Sequence, residues 1–260
     1  MPFAIAPSTR PPAAMEARLA DAAAELWRRS AQFDQDGAEP AALCRPLAEH
    51  GLFIDALPTA YGGGGLDSAA DRLARTLMQV GGADLSAGRI FEGHVNAVKL
   101  VCRYGDDAQR RALADDIHAG AVGGVWNAEA PPGLQLEEDQ GAAGRLRGRK
   151  TYASGLGLVS RPVVTARTGE GQVLMLALRL ARTPPHDLSA WTVQGMRATA
   201  TGTVDFTGWE VGAADVIGGP GDYYRAPLFK GGAWRFAAVQ TGAVLRLVQL
   251  MRDELRARGR

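Results

Sequence analysis

The side chains able to do chemistry are sparse in this chain. The four histidines, His50, His94, His118 and His186, share no spacing. No Ser-His-Asp order, phosphate-binding Gly-Lys-Ser/Thr loop or His-Glu-x-x-His pair occurs, which argues against a triad hydrolase, a P-loop enzyme or a zinc peptidase. Cys44 and Cys102 lie far apart, with neither metal nor redox spacing, and read as reduced thiols; no metal is expected. The glycines at 62–65 form a turn, because no strand-loop-helix nucleotide unit surrounds them. Two further features are ordinary by spacing alone. Tyr152 and Ser154 are two residues apart in a strand-like run, which puts a ring and a hydroxyl on one face. Arg235 sits near the start of a helix, where a solvated or interface role competes with ligand contact. His94 reads as structural, and Glu254 as a surface charge.

The elements that position these residues change character along the chain. With 260 residues, 46% hydrophobic and 22% charged, a sizeable core can be buried. A net charge of +1 gives no general pull toward nucleic acid or anionic membrane, and no basic cluster is interleaved with aromatics. No apolar run approaches the roughly 20 residues of a membrane span. Residues 1–14 carry Pro and Ser where a signal peptide would be apolar, so a disordered tail and a cytoplasmic protein are expected. Residues 15–119 show helical periodicity, beginning with Met15, Leu19, Ala22, Ala23 and Leu26, with a short extended piece at 52–58. Residues 120–219 shorten to strand-length runs at 122–127, 145–153, 162–167, 172–180 and 200–211, predicting an antiparallel β-sandwich or barrel. Residues 220–260 hold a linker and one long helix at 233–258, with a stripe of Ala237, Val244, Val248, Met251 and Leu255. A lone helix of this kind needs a partner surface. The fold class is therefore α+β: an all-helical domain, a β-domain and one C-terminal helix.

Several stretches, in this order, resemble the acyl-CoA dehydrogenase family. Leu47-Ala48-Glu49-His50-Gly51-Leu52 followed by Pro58-Thr59-Ala60-Tyr61-Gly62-Gly63 is similar to the family's first helix, link and Tyr-Gly-Gly turn. Tyr104-Gly105-Asp106-Asp107-Ala108-Gln109-Arg110 resembles its Tyr/Phe-Gly-x-x-x-Gln-Lys/Arg helix start. Gly148-Arg149-Lys150-Thr151-Tyr152-Ala153-Ser154-Gly155 looks like its Gly-x-Lys-Ser/Thr-Trp-Ile-Thr-Asn strand. Gly195-Met196-Arg197-Ala198-Thr199 and Val204-Asp205-Phe206 resemble the Gly-x-Arg-x-Ser and Val-x-Phe that follow. Ala233-Trp234-Arg235-Phe236 sits where the family's C-terminal helical bundle begins, so the long helix is expected to be the first of a bundle that is otherwise missing.

The resemblance implies an FAD-dependent oxidoreductase that dehydrogenates an acyl thioester, with a flavin-dependent monooxygenase of the same fold or an inactive partner subunit of a longer homologue as alternatives. It further implies a homo-oligomer, or pairing with such a homologue. By position, Val125, Asn127 and Ala128 fall on the first flavin strand, where Ala128 lacks the hydroxyl of the family's Thr. Tyr152 matches a Trp that packs on the ring system, and Ser154 matches a Thr that bonds it. The family's Gly-x-Gly-Ser-Asp loop is replaced by Ala130-Pro131-Pro132-Gly133-Leu134-Gln135, which has lost two amide donors. Dehydrogenation needs a carboxylate poised at the substrate's α-carbon. A minority of relatives carry it just before the helix-start Arg, where this chain has Trp234, which cannot act as a base; the base usual in the family is not found here. Arg235 keeps the charged position near an acyl-CoA-like substrate.

Overall fold

A computed structural model of the chain describes residues 12–138 and 144–259. The expected tail lies outside these up to residue 11, and α1 (Pro12–Arg29) already begins at Pro12. Proline is well suited to a first turn, where its missing N–H has no partner to lose. Met15, Leu19, Ala22, Ala23 and Leu26 of α1 are buried, as their spacing predicts. There follow α2 (Pro40–Glu49), α3 (Leu52–Asp55), α4 (Ala70–Ala83), α5 (Leu85–Tyr104) and α6 (Asp107–His118). The stretch at 52–58 is not extended. Gly51 takes φ 75° and its carbonyl accepts from the Asp55 N–H at 3.0 Å, closing the turn of α3. This turn buries Leu52, Phe53 and Ile54. The central α5 is buried on nearly every side, from Ser86 to Val101, as a helix through the middle of a domain must be. The Asp106–Gln109 capping box starts α6, and Gln109 Nε2 also donates to the carbonyls of Ala214 and Val216, joining the helical domain to the β-domain.

The β-domain contains β1 (Val122–Trp126), β2 (Glu129–Glu138), β3 (Gly144–Ala153), β4 (Val159–Arg167), β5 (Val173–Ala177), β6 (His186–Asp187), β7 (Gly202–Asp205), β8 (Glu210–Val211) and β9 (Val216–Ile217). They form one sheet in the order β6-β7-β3-β2-β4-β5-β9, with β1 added on β4 and β8 on β3. The sheet is mixed, which corrects the antiparallel expectation: β1 runs parallel to β4 from Val122↔Val159 to Trp126↔Val164. The 130–135 stretch also differs from the loop expected there, because it lies within β2. The two prolines fall where the pairing with β3 jumps from Ala130↔Arg149 to Gln135↔Arg147. A bulge of this kind tolerates residues that cannot donate to the ladder.

The last helix, α7 (Leu228–Ala257), begins five residues earlier than its periodicity predicted. It crosses α4 and α5 on Ala238, Val239 and Gly242, not on the expected stripe. The crossing is close enough to require glycine: a Cβ at Gly242 would lie 1.8 Å from the Met78 carbonyl oxygen, and one at Gly81 would lie 2.3 Å from that of Val239. Val244, Val248, Met251 and Leu255 are exposed.

Candidate functional site

The candidate site forms where the end of β1 meets the end of β3. Trp126 is fully buried, with its ring 6.3 Å from that of Phe206, and its Nε1 donates to the Ser154 carbonyl at 2.9 Å. The Thr151 N–H donates to the Ala128 carbonyl at 3.0 Å. These bonds bring residues 125–128 alongside residues 151–154. Pairing of β3 with β7 shifts register between Lys150 and Ala153, and within that shift Tyr152 takes φ 50°. The simple alternation that set Tyr152 and Ser154 on one face therefore does not run through this segment. The Tyr152 ring is 67% exposed. Positive φ is uncommon for a bulky aromatic residue and carries strain. Ser154 is half-buried, and its Oγ lies 2.9 Å from Thr201 Oγ1; Thr199 donates to the Met196 carbonyl and so accepts the single Thr201 proton, which makes Ser154 the donor to Thr201 and leaves its oxygen open as an acceptor. Ser154 lines a small cleft with Val125, Gly124 and, from α5, Gly93 and Arg89. The two glycines leave its wall without side chains.

Beside this cleft is a buried charge that spacing alone did not single out. Lys150 is 0% exposed, and its Nζ donates to Glu129 Oε1 (2.6 Å), Thr165 Oγ1 (2.9 Å) and the Asn127 carbonyl (3.1 Å). Thr165 Oγ1 donates in turn to Asn127 Oδ1 at 2.5 Å. Glu129 Oε2 accepts from the Leu134 N–H at 3.0 Å, which pins the β2 bulge. Burial pushes the Lys150 ammonium below its usual range, and the Glu129 carboxylate works against that shift. The signal was present in the sequence: Lys150 shares strand parity with the inward Leu146, and an inward lysine needs buried acceptors. Asn127 is half-buried and Ala128 exposed.

Arg235 lies elsewhere, in the α5–α7 interface. It is 1% exposed, with Nε 3.3 Å from Glu92 Oε1 and Nη2 donating to Asn96 Oδ1 at 2.6 Å. Glu92 also pairs with Arg89 at 3.0 Å. The position expected to face a substrate is thus a closed one, with its charge met inside the protein, and the interface alternative fits this geometry. Burial raises the nearby Tyr223 hydroxyl to about 12, so it stays protonated at neutral pH. Trp234, the next residue back, is 38% exposed. His94 is fully buried; its Nδ1 accepts from the Gly123 N–H at 2.9 Å, and its Nε2 lies 2.9 Å from the Phe53 carbonyl. These two bonds fix a neutral ring with the proton on Nε2, and burial lowers its pKa to about 4. It ties α5 to α3 and β1, a structural role. Among the described residues no helix is long and apolar enough to cross a membrane, and no cluster of three His, Cys, Asp or Glu side chains could hold a metal.

The helical domain, mixed sheet and following helix define an α+β fold shared with known enzymes. Residues 13–121 match the family of the acyl-CoA dehydrogenase N-terminal domain. A dibenzothiophene monooxygenase from Rhodococcus erythropolis is 26% identical over 221 residues, covering 78% of this chain and 51% of that one. The chain thus spans about half the length of the curated relatives it matches. Among solved structures, KijD3 in complex with dTDP superposes with a TM-score of 0.76 at 25% identity, over 95% of this chain and 66% of that one. FMN-bound TdsC from Paenibacillus sp. A11-2 superposes with a TM-score of 0.76 at 19% identity, over 91% and 62%. Residues 13–121 thus match that family's N-terminal domain, and the chain shares the fold of these solved structures.

Proposed function

We propose that this chain carries the flavin-ring site of a flavin-dependent monooxygenase. The observation that carries this reading is Tyr152: a bulky aromatic residue held at φ 50° with its ring 67% exposed, two residues before Ser154 and next to Thr151, whose N–H donates to the Ala128 carbonyl. An exposed ring gives a flat heterocycle a stacking surface. The Ser154 oxygen gives an acceptor at its edge, as for a ring N–H, and the glycine-walled cleft gives room for close approach. These residues fit a flavin. A bound reduced flavin would supply the electrons by which dioxygen is activated and one oxygen atom passed to a substrate. The chain's own part is to stack, to hydrogen-bond and to keep water from the buried side through Trp126.

The monooxygenase reading is supported over acyl thioester dehydrogenation by two things. The curated relatives are dibenzothiophene monooxygenases, and the structural neighbours include FMN complexes of TdsC and KijD3. The buried carboxylate near α7, Glu92, is taken up in ion pairs with both Arg89 and Arg235 and does not stand open to a substrate. FMN is accordingly the cofactor proposed in place of FAD. The test mixes the chain with FMN, NADH and a flavin reductase under oxygen, with heteroaromatic sulfides, indole and dTDP-linked amino sugars as substrates. Oxygenated product by mass spectrometry supports the reading. Anaerobic bleaching of bound flavin by acyl-CoA, with no oxygenated product, would establish dehydrogenation instead.

A further inference from the structure

The cluster around Lys150 settles which way the Asn127 side chain faces. A lysine ammonium has three donors and no acceptor. Here its three partners are the Asn127 carbonyl, Glu129 Oε1 and Thr165 Oγ1. The Thr165 hydroxyl therefore accepts from Lys150, and its single proton goes to its other neighbour, Asn127, 2.5 Å away. The atom that receives it must be the amide oxygen. The NH2 group of Asn127 is then turned away from Lys150, and it has no acceptor among the described residues. It is a donor left over at the end of β1, next to Ala128, whose methyl group can donate nothing.

We propose that Lys150 and Thr165 are positioning residues that lock Asn127 with its NH2 outward, and that this NH2 is the hydrogen-bond donor offered to a carbonyl of the flavin ring where Ala128 has no hydroxyl. The second half rests on the flavin-site reading above; the first half does not. The Glu129 carboxylate, 2.6 Å from Nζ, keeps the ammonium charged and so keeps the direction of the relay.

Two measurements test the halves separately. In the ligand-free chain, the Asn127 side-chain amide protons should exchange with solvent as fast as those of an exposed asparagine, by NMR. Protected protons would mean that the NH2 faces Thr165, and would overturn the relay whatever binds there. In the second, FMN is titrated into variants whose folding is checked by circular dichroism. Asn127→Asp and Asn127→Leu both remove the donor and should each weaken binding roughly tenfold. Thr165→Val should weaken it several-fold, Thr165→Ser should restore wild-type affinity, and the Thr165→Val, Asn127→Leu pair should bind no worse than Asn127→Leu alone. Wild-type binding by Asn127→Leu, or additive losses in the pair, would overturn the proposal while leaving the flavin site standing. Failure of the wild-type chain to bind FMN in a saturable way would overturn the flavin reading and the donor role, but not the relay.

Discussion

At the residue scale, His94 and Arg235 are buried polar groups whose partners lie inside the protein, and this makes their energetics predictable. His94 is neutral in the fold because both nitrogens are committed and burial lowers its pKa to about 4 from the ordinary 6.5. Between these values the unfolded chain binds a proton that the fold refuses, so stability contributed by His94 is intact above about pH 6.5 and drains away as pH falls toward 4. The loss amounts to about 3 kcal/mol. Urea midpoints measured across this range should fall for the wild type and fall less steeply for His94→Leu; parallel slopes would show that the ring is not held neutral. Arg235→Ala should cost about 3 kcal/mol, because it removes a buried partner of Glu92 and Asn96 and leaves a cavity between α5 and α7. A loss below about 1 kcal/mol in chemical denaturation would mean that the arginine is not structurally engaged.

At the element scale, helices were legible because their apolar residues recur with one period, as in the fully buried Leu19, Ala22 and Leu26 of α1. The mixed strand pairing was not legible, because burial periodicity is the same for parallel and antiparallel neighbours; the partner of β1 is set by its packing against α5. Strand β2 was hidden by Pro131 and Pro132, which signal a break although the break is only a bulge. Of the site, Tyr152 and Ser154 were visible as types, whereas the register shift that exposes the Tyr152 ring depends on β7, some 50 residues away in sequence. On α7, hydrophobicity pointed to Val244, Val248 and Met251, while the inward face is marked by the small residues Ala238 and Gly242. Close crossing, not apolar area, decides that face. Gly242→Ala should therefore drive a methyl group into the Met78 carbonyl and cost more than the roughly 1–3 kcal/mol of ordinary overpacking. Hydrogen exchange along α7 should accelerate while α1 and α2 stay protected. Unchanged protection of α7 would contradict the close crossing.

At the scale of the whole molecule, the outer face of α7 presents Val244, Leu247, Val248 and Met251, each close to or more than half exposed. An apolar stripe of this length is expected to associate. Sedimentation of the chain should show mass rising with concentration, and Leu247→Glu with Met251→Glu should return it to a monomer. A wild-type monomer at every concentration would show that the face is tolerated in water.

The fold brings three elements to one place: the end of β1, the bulged end of β3 and the glycine-lined side of α5. The flavin site proposed there is tested most directly by titrating FMN into the wild-type chain and into Tyr152→Ala and Ser154→Ala, following flavin absorbance and fluorescence. The structure predicts saturable binding that each substitution weakens roughly tenfold, through loss of the stacking ring and of the edge hydroxyl respectively. Binding that is equally tight in all three proteins, or absent in the wild type, would contradict it.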